Sequence, residues 1–462
     1  MSLPEIIQIE LDSKGIKYDL LESNATSSFY QNAKQLSIPL DKLVRALVIE
    51  AHGQQRMMIL AAGDMLDFSS LNSLYGSSID VAANFQTKID GCEADSRVPL
   101  PAIQQIEIVA YQTILDSDVV YFDAGINGSF LRIKGEDFRR LHENTVIGEF
   151  SCSAEKLFNL NHNDNDDAEG VSLKSFTPKR MQQRVKETFD LPAMPAIAQE
   201  VMRLRVDRNA GAAELAKIVA KDPSLSAQVI SWASSPYYGY QGNIDSIETA
   251  ISRVLGFDLV LNLALGISVG KSLNVPVDGP LGLHAYWRES VYSATLSEKL
   301  CSYISSKNKP QRGLVYLAGL LHNFGQLLLG HLFPPQFYLI NRYVAMNPHI
   351  PVEEIEHYLL GTSHVEIGAW LMESWNMPEE LIAAVRWHHQ EEHWNEYAVY
   401  SNIVLIANRL LNRIDVGDSV ESVLPDKIMQ MIGLEEEDAF KALDLIVADE
   451  QELDAIAHQM VA

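Results

Sequence analysis

Four histidines in the second half of the chain have the chemistry of a metal site. They are His322, His364, His388 and His389, and each lies among apolar residues at helical spacing. Neutral imidazoles gathered in a helical bundle can bind a divalent metal ion. Because His388 and His389 are adjacent, they would point about a third of a turn apart on a helix, so we expect at most one of them to join His322 and His364.

The elements that must position these histidines are predicted to be helices. Beyond about residue 167, apolar residues recur at spacings of three and four, as in the segment 244–255, where one helical face is apolar. Strand-like alternation nearly disappears from there to the end of the sequence. The second part of the chain is therefore predicted to be all-α.

The first part of the chain mixes strand and helix patterns. Two apolar runs, 46–49 and 57–60, flank a short polar turn, and the runs 119–122 and 130–133 flank a second turn that contains Asn127-Gly128. A helical turn is predicted over 137–141. This part is predicted to be α+β.

A polar stretch, 159–167, divides the two patterns. We predict a multidomain chain with an α+β domain over residues 1–155 and a linker with a basic segment over 156–188. An all-helical domain with a C-terminal helical extension follows over 189–462.

Composition and charge limit the function classes. The 462 residues contain 36 Lys and Arg against 61 Asp and Glu, a net charge of −25. Such a charge disfavours non-specific binding to nucleic acid and to anionic membranes. The three cysteines, Cys92, Cys152 and Cys301, form no CxxC pair, and no secretory leader pattern is found at Met1. We expect neither a disulfide framework nor a thiolate zinc site, and a cytoplasmic location.

The helical part resembles the HDOD domain, the HD-related output domain of bacterial signalling proteins. The resemblance covers roughly residues 189–410. It is carried by the motifs at 191–195, 221–225, 234–239, 246–251, 319–325, 363–368 and 375–378, together with His388-His389. The resemblance implies a helical fold related to the HD-type metal phosphohydrolases.

This sequence departs from the ligand pattern of HD-type hydrolases. Glu289 stands where the first histidine of an HD site would align, and Asn323 replaces the aspartate that follows His322 in the HD pair. The late aspartate would align with Asn408. An amide offers a metal one carbonyl oxygen and no charge, and it cannot act as a base. Ser363 and Glu366 have the spacing of a capping box, so we interpret Glu366 as a helix cap rather than as a metal ligand.

The α+β part resembles the YbaK/prolyl-tRNA-synthetase-associated domain, whose active members deacylate mischarged tRNA. The matching stretches are 42–49, 91–99 and 119–128. Active members carry a lysine where this chain has Arg45, which cannot exchange a proton at neutral pH. Asp95 stands where the family has a glycine, and its carboxylate would repel a tRNA 3′ end. We expect Arg45, Cys92 and Asp95 to line a ligand-binding site, with Cys92 packed rather than nucleophilic.

Three functions follow from these residues. The first is a regulatory protein that binds a small-molecule ligand or a protein partner through two modules that have lost catalytic charges, with a tRNA 3′ end as one candidate ligand. The second is a metal-dependent phosphohydrolase, and the third an aminoacyl-tRNA deacylase. The first is our prediction: no catalytic residue, no membrane partner, and no cofactor apart from a residual divalent metal at the histidine cluster. Assembly of identical chains is compatible with the sequence.

Overall fold

A computed structural model describes residues 3–23, 29–76, 79–81, 86–94, 96–152, 193–207, 209–235, 238, 240–304 and 309–461. The predicted linker and its basic segment lie outside the described residues. The chain divides into two compact units. The first comprises Met1–Val171 together with Met346–Ile350, and the second comprises Ser172–Ala345 and Pro351–Ala462.

The first unit is α+β, as predicted. Its strands are β1 (Asp19–Glu22), β2 (Val44–Ala51), β3 (Gln54–Ala61), β4 (Met65–Leu66), β5 (Ile79–Val81), β6 (Glu107–Ala110), β7 (Val119–Asp123), β8 (Ser129–Lys134), β9 (Val146–Ile147) and β10 (Ser151–Cys152). Its helices are α1 (Glu5–Ser13), α2 (Phe29–Gln35), α3 (Phe68–Tyr75), α4 (Gln112–Leu115) and α5 (Gly135–Leu141).

Three sheets organise the described part of this unit. The largest has the strand order β5-β2-β3-β6-β9, a second has the order β1-β8-β7, and β10 pairs with β4. Strands β2 and β3 form an antiparallel hairpin in which Val44 pairs with Ala61 and Ala51 with Gln54. Both turn residues, His52 and Gly53, have positive φ angles of 55° and 72°. A two-residue turn of this hand matches the twist of the strands that it joins.

The core of the first unit lies where α1, α4 and α5 pack on the inner faces of the strands. Ile7, Met57, Ile59, Phe122 and Phe138 are fully buried there. Met57, Ile59 and Phe122 belong to the apolar runs 57–60 and 119–122 from which the strands were predicted.

The second unit is helical in its described part. Its α-helices are α6 (Ala196–Val206), α7 (Ala212–Val219), α8 (Pro223–Ala233), α9 (Ile247–Ala250), α10 (Phe257–Gly270), α11 (Leu283–Tyr303), α12 (Arg312–Leu321), α13 (Phe324–Leu332), α14 (Pro334–Met346), α15 (Val352–Leu360), α16 (His364–Ser374), α17 (Glu379–Trp387), α18 (Ala398–Leu411), α19 (Asp426–Ile432), α20 (Glu436–Ala448) and α21 (Glu450–Val461). Helix α14 ends at Met346, the first residue of the segment that belongs to the first unit.

Glycines bring the central helices of the second unit into close contact. A Cβ on Gly319 in α12 would lie 2.7 Å from the Cα of Ala294 in α11. A Cβ on Gly325 in α13 would overlap the carbonyl oxygen of His364, the first residue of α16. Backbones that approach this closely leave no room for a side chain, so these glycines fix the distances between the helices that carry the histidines.

One stretch, Arg312–Leu332, is long and apolar enough to cross a membrane, with a mean hydropathy of 1.2. Within the fold, 94% of that stretch is buried. A second candidate, Ile247–Leu255 with Phe257–Gly270, is bent by 120°. Burial of this extent is what the central helices of a helical bundle show, so the apolar character of Arg312–Leu332 is explained by packing.

Candidate functional site

A cluster of three histidines and one aspartate lies in the second unit. His364, His388, His389 and Asp418 each offer one ligand atom, and these four atoms lie within 4.8 Å of one another. His364 and His388 are buried, and the side chains of Asp418 and His389 are 2% and 22% exposed. We call these four residues the histidine–aspartate cluster.

The ends of helices position the cluster. His364 is the first residue of α16, and His388 caps the C-terminus of α17, with His389 directly beyond it. Because the helix ends at Trp387, the two adjacent histidines are not held on one regular helical surface. Both reach the cluster, whereas only one was expected from the sequence.

Asp418 lies in the loop that follows α18, and Glu289 holds that loop in place. The backbone N–H of Asp418 donates a hydrogen bond to Oε1 of Glu289 at 3.0 Å. The preceding residue, Gly417, has a φ of 95°, and a Cβ there would lie 2.9 Å from the same carboxylate oxygen. Glycine at 417 therefore permits both the left-handed turn and the close approach. Burial and the charge of Asp418 raise the pKa of Glu289.

Glu356 orients His364. Its Oε2 lies 2.7 Å from Nδ1 of His364 and accepts the backbone N–H of the same residue, also at 2.7 Å. The Nδ1 proton is thereby committed to Glu356, and Nε2 faces the cluster, which is the arrangement that carboxylates give to metal-binding histidines. Burial opposes the charged imidazolium, but the charge of Glu356 outweighs it and raises the pKa of His364 to about 9.

Asp418 provides the negative charge of the cluster. Its Oδ2 lies 3.5 Å from Nε2 of His389 and accepts Nδ2 of Asn323 at 3.1 Å. Its Oδ1 is buried and has no hydrogen-bond partner among the described residues. Burial favours the neutral acid, but the imidazoles of His389 and His364 outweigh it and hold the pKa of Asp418 well below its usual value. A buried carboxylate oxygen without a partner is costly unless a cation binds it.

His388 faces oxygen acceptors on both sides of its ring. Nδ1 lies 3.1 Å from the carbonyl oxygen of Ala384 and 3.0 Å from that of Val385, and Nε2 lies 3.1 Å from Oδ1 of Asn323. Burial and the neighbouring histidines hold the pKa of His388 well below its usual value, so its ring is neutral and carries one proton. If Nδ1 holds that proton, two lone pairs face each other at Nε2.

Turning the Asn323 amide would remove the conflict at Nε2 of His388 but create another, because the amide oxygen would then face the carboxylate of Asp418. A cation placed between Nε2, Oδ1 and the carboxylate would remove either conflict. The residues present therefore fit a divalent metal ion.

His322, the fourth predicted ligand, lies outside the histidine–aspartate cluster. Its Nδ1 is 2.7 Å from the carbonyl oxygen of Gly319, and its Nε2 is 3.0 Å from Nδ2 of Asn408. Oδ1 of Asn408 in turn accepts the hydroxyl of Ser293 at 2.9 Å. Both ring nitrogens thus have protein partners, and the amide at 408 supplies a donor that an aspartate would lack.

Two residues of this site were missed from the sequence. Asp418 lies in an irregular loop, and Glu356 precedes His364 by eight positions with no motif between them. The interpretation of Glu366 as a capping residue was wrong. Ser363 makes no side-chain cap, and Glu366 instead accepts the hydroxyl of Thr362.

The structure gives a different result for each of the three residues predicted to bind a ligand in the first unit. Arg45 lies in β2, is 5% exposed, and donates to Oδ1 of Asn347 at 3.2 Å. Cys92 packs against the core of the unit, and burial raises the pKa of its thiol to about 11, so it is protonated at neutral pH. Asp95 lies outside the described residues.

Comparison with known proteins agrees with both halves of this description. The model of the HDOD domain matches residues 191–391, and that of the aminoacyl-tRNA editing domain matches residues 23–141. A crystal structure from Marinobacter aquaeolei VT8, of a protein provisionally assigned to signal transduction, is 30% identical, with both chains covered completely and a TM-score of 0.82.

Two further relatives cover the helical part or a portion of the chain. An HDOD domain protein of unknown function from Geobacter sulfurreducens is 24% identical over 61% of this chain and 98% of its own, with a TM-score of 0.50. An uncharacterised protein of Treponema pallidum (strain Nichols) is 22% identical over 271 residues, 58% of this chain and 51% of its own length. This chain thus spans about half of that relative. The chain belongs to the HDOD family and carries an aminoacyl-tRNA editing domain ahead of its HDOD domain.

Proposed function

We propose that this protein is a non-catalytic signalling protein whose helical unit binds a single divalent metal ion at the histidine–aspartate cluster. The observation that carries the proposal is the contrast between the cluster and His322. The cluster keeps one buried ligand atom, Oδ1 of Asp418, without a hydrogen-bond partner among the described residues, whereas both ring nitrogens of His322 are engaged by Gly319 and Asn408.

The ligand set suits one metal ion. Nε2 of His364, His388 and His389 and one oxygen of Asp418 would bind the ion, and His364, whose pKa is raised to about 9, would release its Nε2 proton as the ion binds. When bound, such an ion supplies a Lewis-acidic positive charge. Glu356 holds Nε2 of His364 towards that position, and Glu289 holds the loop of Asp418.

A second metal ion would need ligands that this chain does not offer. In two-metal sites the ions lie about 3.5–4 Å apart and are joined by shared ligands such as carboxylates. Asn323 cannot bridge two ions with a charged group, and Asn408 donates its N–H to the nitrogen of His322 that a second ion would use. A water-activating dinuclear centre is therefore disfavoured, and ligand or partner recognition is the activity that remains.

The experiment is metal analysis combined with a turnover assay. Protein purified without chelator is supplied with Mn²⁺ or Zn²⁺, desalted and analysed, and its activity is measured on a cyclic dinucleotide and on bis-p-nitrophenyl phosphate. We expect one ion per chain and no turnover of either compound. His364→Ala is expected to lose the ion, whereas His458→Ala, which changes an exposed histidine, keeps it. Two ions per chain with turnover that depends on His364 would overturn the proposal.

We also propose a cellular location and a class of partner for this protein. Cys92, Cys152 and Cys301 form no disulfide among the described residues, which is compatible with a reducing cytoplasm. We infer that the partner is another protein or a small ligand, and that the protein acts without a membrane. Fractionation of cells that express the tagged chain would place it, and recovery in the membrane fraction would contradict this inference.

A further inference from the structure

The first unit contains a buried cation, Arg45, that no carboxylate of the described residues neutralises. Arg45 is 5% exposed, and among the described residues it forms no ion pair. Within the described part of the chain, its guanidinium donates one hydrogen bond, to the neutral amide oxygen of Asn347. A guanidinium has five N–H donors, and a buried charge without a counter-charge is expensive. In the part of the chain that the structure describes, the Arg45 guanidinium thus has one neutral acceptor and no counter-charge.

The amide on Arg45 comes from a distant part of the sequence. Met346–Ile350 follows α14 in the chain, 302 positions from Arg45 at Asn347, yet it belongs to the first unit. Both ends of the segment continue into the second unit of the chain. We call Met346–Ile350 the inserted segment.

The side-chain amide of Asn347 joins Arg45 to both backbone groups of Leu66. Its Oδ1 accepts Nη1 of Arg45 at 3.2 Å and the backbone N–H of Leu66 at 2.8 Å. Its Nδ2 lies 3.3 Å from the carbonyl oxygen of Leu66. The side chain is fully buried. One amide thus satisfies both backbone groups of Leu66 and the guanidinium, as a bound ligand would.

A ring contact anchors the other end of the inserted segment. The imidazole of His349 stacks on Tyr30, with centroids 4.8 Å apart and planes 15° from parallel. Burial, and then the charge of Arg45, lower the pKa of His349 to about 3. The ring is neutral at physiological pH, so it adds no second positive charge beside Arg45.

We propose that the inserted segment is an internal ligand of an anion-binding site at Arg45, and that a carboxylate or phosphate group of an incoming molecule displaces Asn347 from it. This inference does not depend on the proposed metal site in the helical unit. It goes beyond the replacement of the editing lysine by Arg45, because it assigns Asn347 as the group that occupies the ligand position at this residue.

The competition favours the anion once it reaches the site. A carboxylate or phosphate can accept two parallel N–H groups of an arginine and carries the opposite charge, whereas the neutral amide oxygen of Asn347 receives one N–H. The free N–H of Leu66 would add a further donor. The amide wins in the absence of ligand because it is tethered to the chain and is always present at a high effective concentration.

The first experiment measures hydrogen exchange at Leu66 in four proteins: the natural chain, Asn347→Ala, Arg45→Ala and the double variant. Removing Asn347 frees the Leu66 N–H, so exchange should accelerate about tenfold, equivalent to about 1.4 kcal/mol. Sodium phosphate or sodium acetate, at the ionic strength of a sodium chloride control, should restore the protection in Asn347→Ala. The double variant should not respond.

The two anions distinguish the sources of the binding group. Stronger protection by acetate indicates a carboxylate ligand, and stronger protection by phosphate indicates a phosphorylated one. If neither anion protects Leu66 in Asn347→Ala, or if both protect it equally well in the double variant, the proposal is overturned.

A second measurement does not rely on removing the amide. In the natural chain, the same anions should accelerate exchange across residues 346–350, because the segment leaves as the anion enters. Asn347→Asp supplies a tethered carboxylate to Arg45 and should suppress this acceleration. Acceleration that is as large in Asn347→Asp and in Arg45→Ala as in the natural chain would contradict displacement at Arg45.

Discussion

The histidine–aspartate cluster and the Arg45 site are each built around a buried charged group, a carboxylate in one and a guanidinium in the other. At the cluster, a buried oxygen of Asp418 has no hydrogen-bond partner in the described part of the chain. At the Arg45 site, a buried guanidinium has an amide as its partner. In both places an asparagine occupies a position where a charged group would complete the chemistry. One site is therefore suited to a cation and the other to an anion.

Two buried histidines show the same difference. His364 lies 2.7 Å from a carboxylate, which outweighs burial and raises its pKa to about 9. His349 lies beside Arg45, and burial together with that charge lowers its pKa to about 3. Burial lowers the pKa of both imidazoles, and at His364 the neighbouring carboxylate reverses that effect.

The largest expected effect concerns how the cluster is built. Gly325→Ala places a methyl group on the backbone of His364, so α13 and α16 must separate, and we expect a loss of about 3 kcal/mol in the free energy of unfolding. Gly313→Ala is the matched control, because a Cβ there has no atom closer than 3.8 Å. Urea unfolding of both variants tests this, and equal midpoints would show that the close approach does not support the cluster.

The next effect concerns the charge of the cluster. Asp418→Asn removes the negative ligand, and we expect metal affinity to fall at least about a hundredfold. A metal concentration of a hundred times the original Kd stabilises the natural chain by about 2.7 kcal/mol, and the variant should lose most of this stabilisation. Asp444→Asn, at an exposed position, makes the same charge change and should leave affinity intact. Calorimetric titration with Zn²⁺ measures both, and unchanged binding by Asp418→Asn would remove the cluster from consideration as the metal site.

A third effect concerns the pH dependence of the Arg45 site. The pKa of His349 is lower in the folded chain than in the unfolded one, so its contribution is complete above about pH 6.5 and is lost as the pH falls towards 3. Lowering the pH from 7 to 5 should therefore remove about 2 kcal/mol of the free energy of unfolding through this group. His349→Phe keeps a ring on Tyr30 and should lose this part of the pH dependence of the free energy of unfolding. A slope as steep in the variant as in the natural chain would show that His349 is not responsible.

The smallest effect should be the same in the two units. Asp67 caps α3 by accepting the backbone N–H groups of Ser69 and Ser70, and Asp222 caps α8 in the same way. Each Asp→Ala variant should lose about 1 kcal/mol of unfolding free energy. Thermal unfolding compares them, and a loss at Asp67 several times larger would indicate that this cap also supports neighbouring Leu66 at the Arg45 site.

The fold classes of both parts were predictable because their evidence is local. The short apolar runs in β2 and β3 and the three-four spacing in the helical unit are properties of short stretches. The sites depend on contacts between distant positions. Asp418 reaches His364 through an irregular loop, and Asn347 reaches Arg45 from 302 positions away, so neither carries a pattern that a sequence can show.

The neutral amides at 323 and 408 were visible in the sequence, but their hydrogen bonds were not. Asn408 was expected to weaken a metal site by lacking charge. In the structure it also donates an N–H to the ring of His322, a geometric role that residue type alone does not imply. Likewise, His389 was expected to point away from His388, and the end of α17 at Trp387 changes that direction.

Anomalous diffraction from crystals grown with Mn²⁺ tests the central claim most directly, because it counts and locates the ions at once. The account predicts one anomalous peak, bounded by His364, His388, His389 and Asp418, with none beside His322. A pair of peaks about 3.5–4 Å apart, with the second one bound to His322, would contradict it.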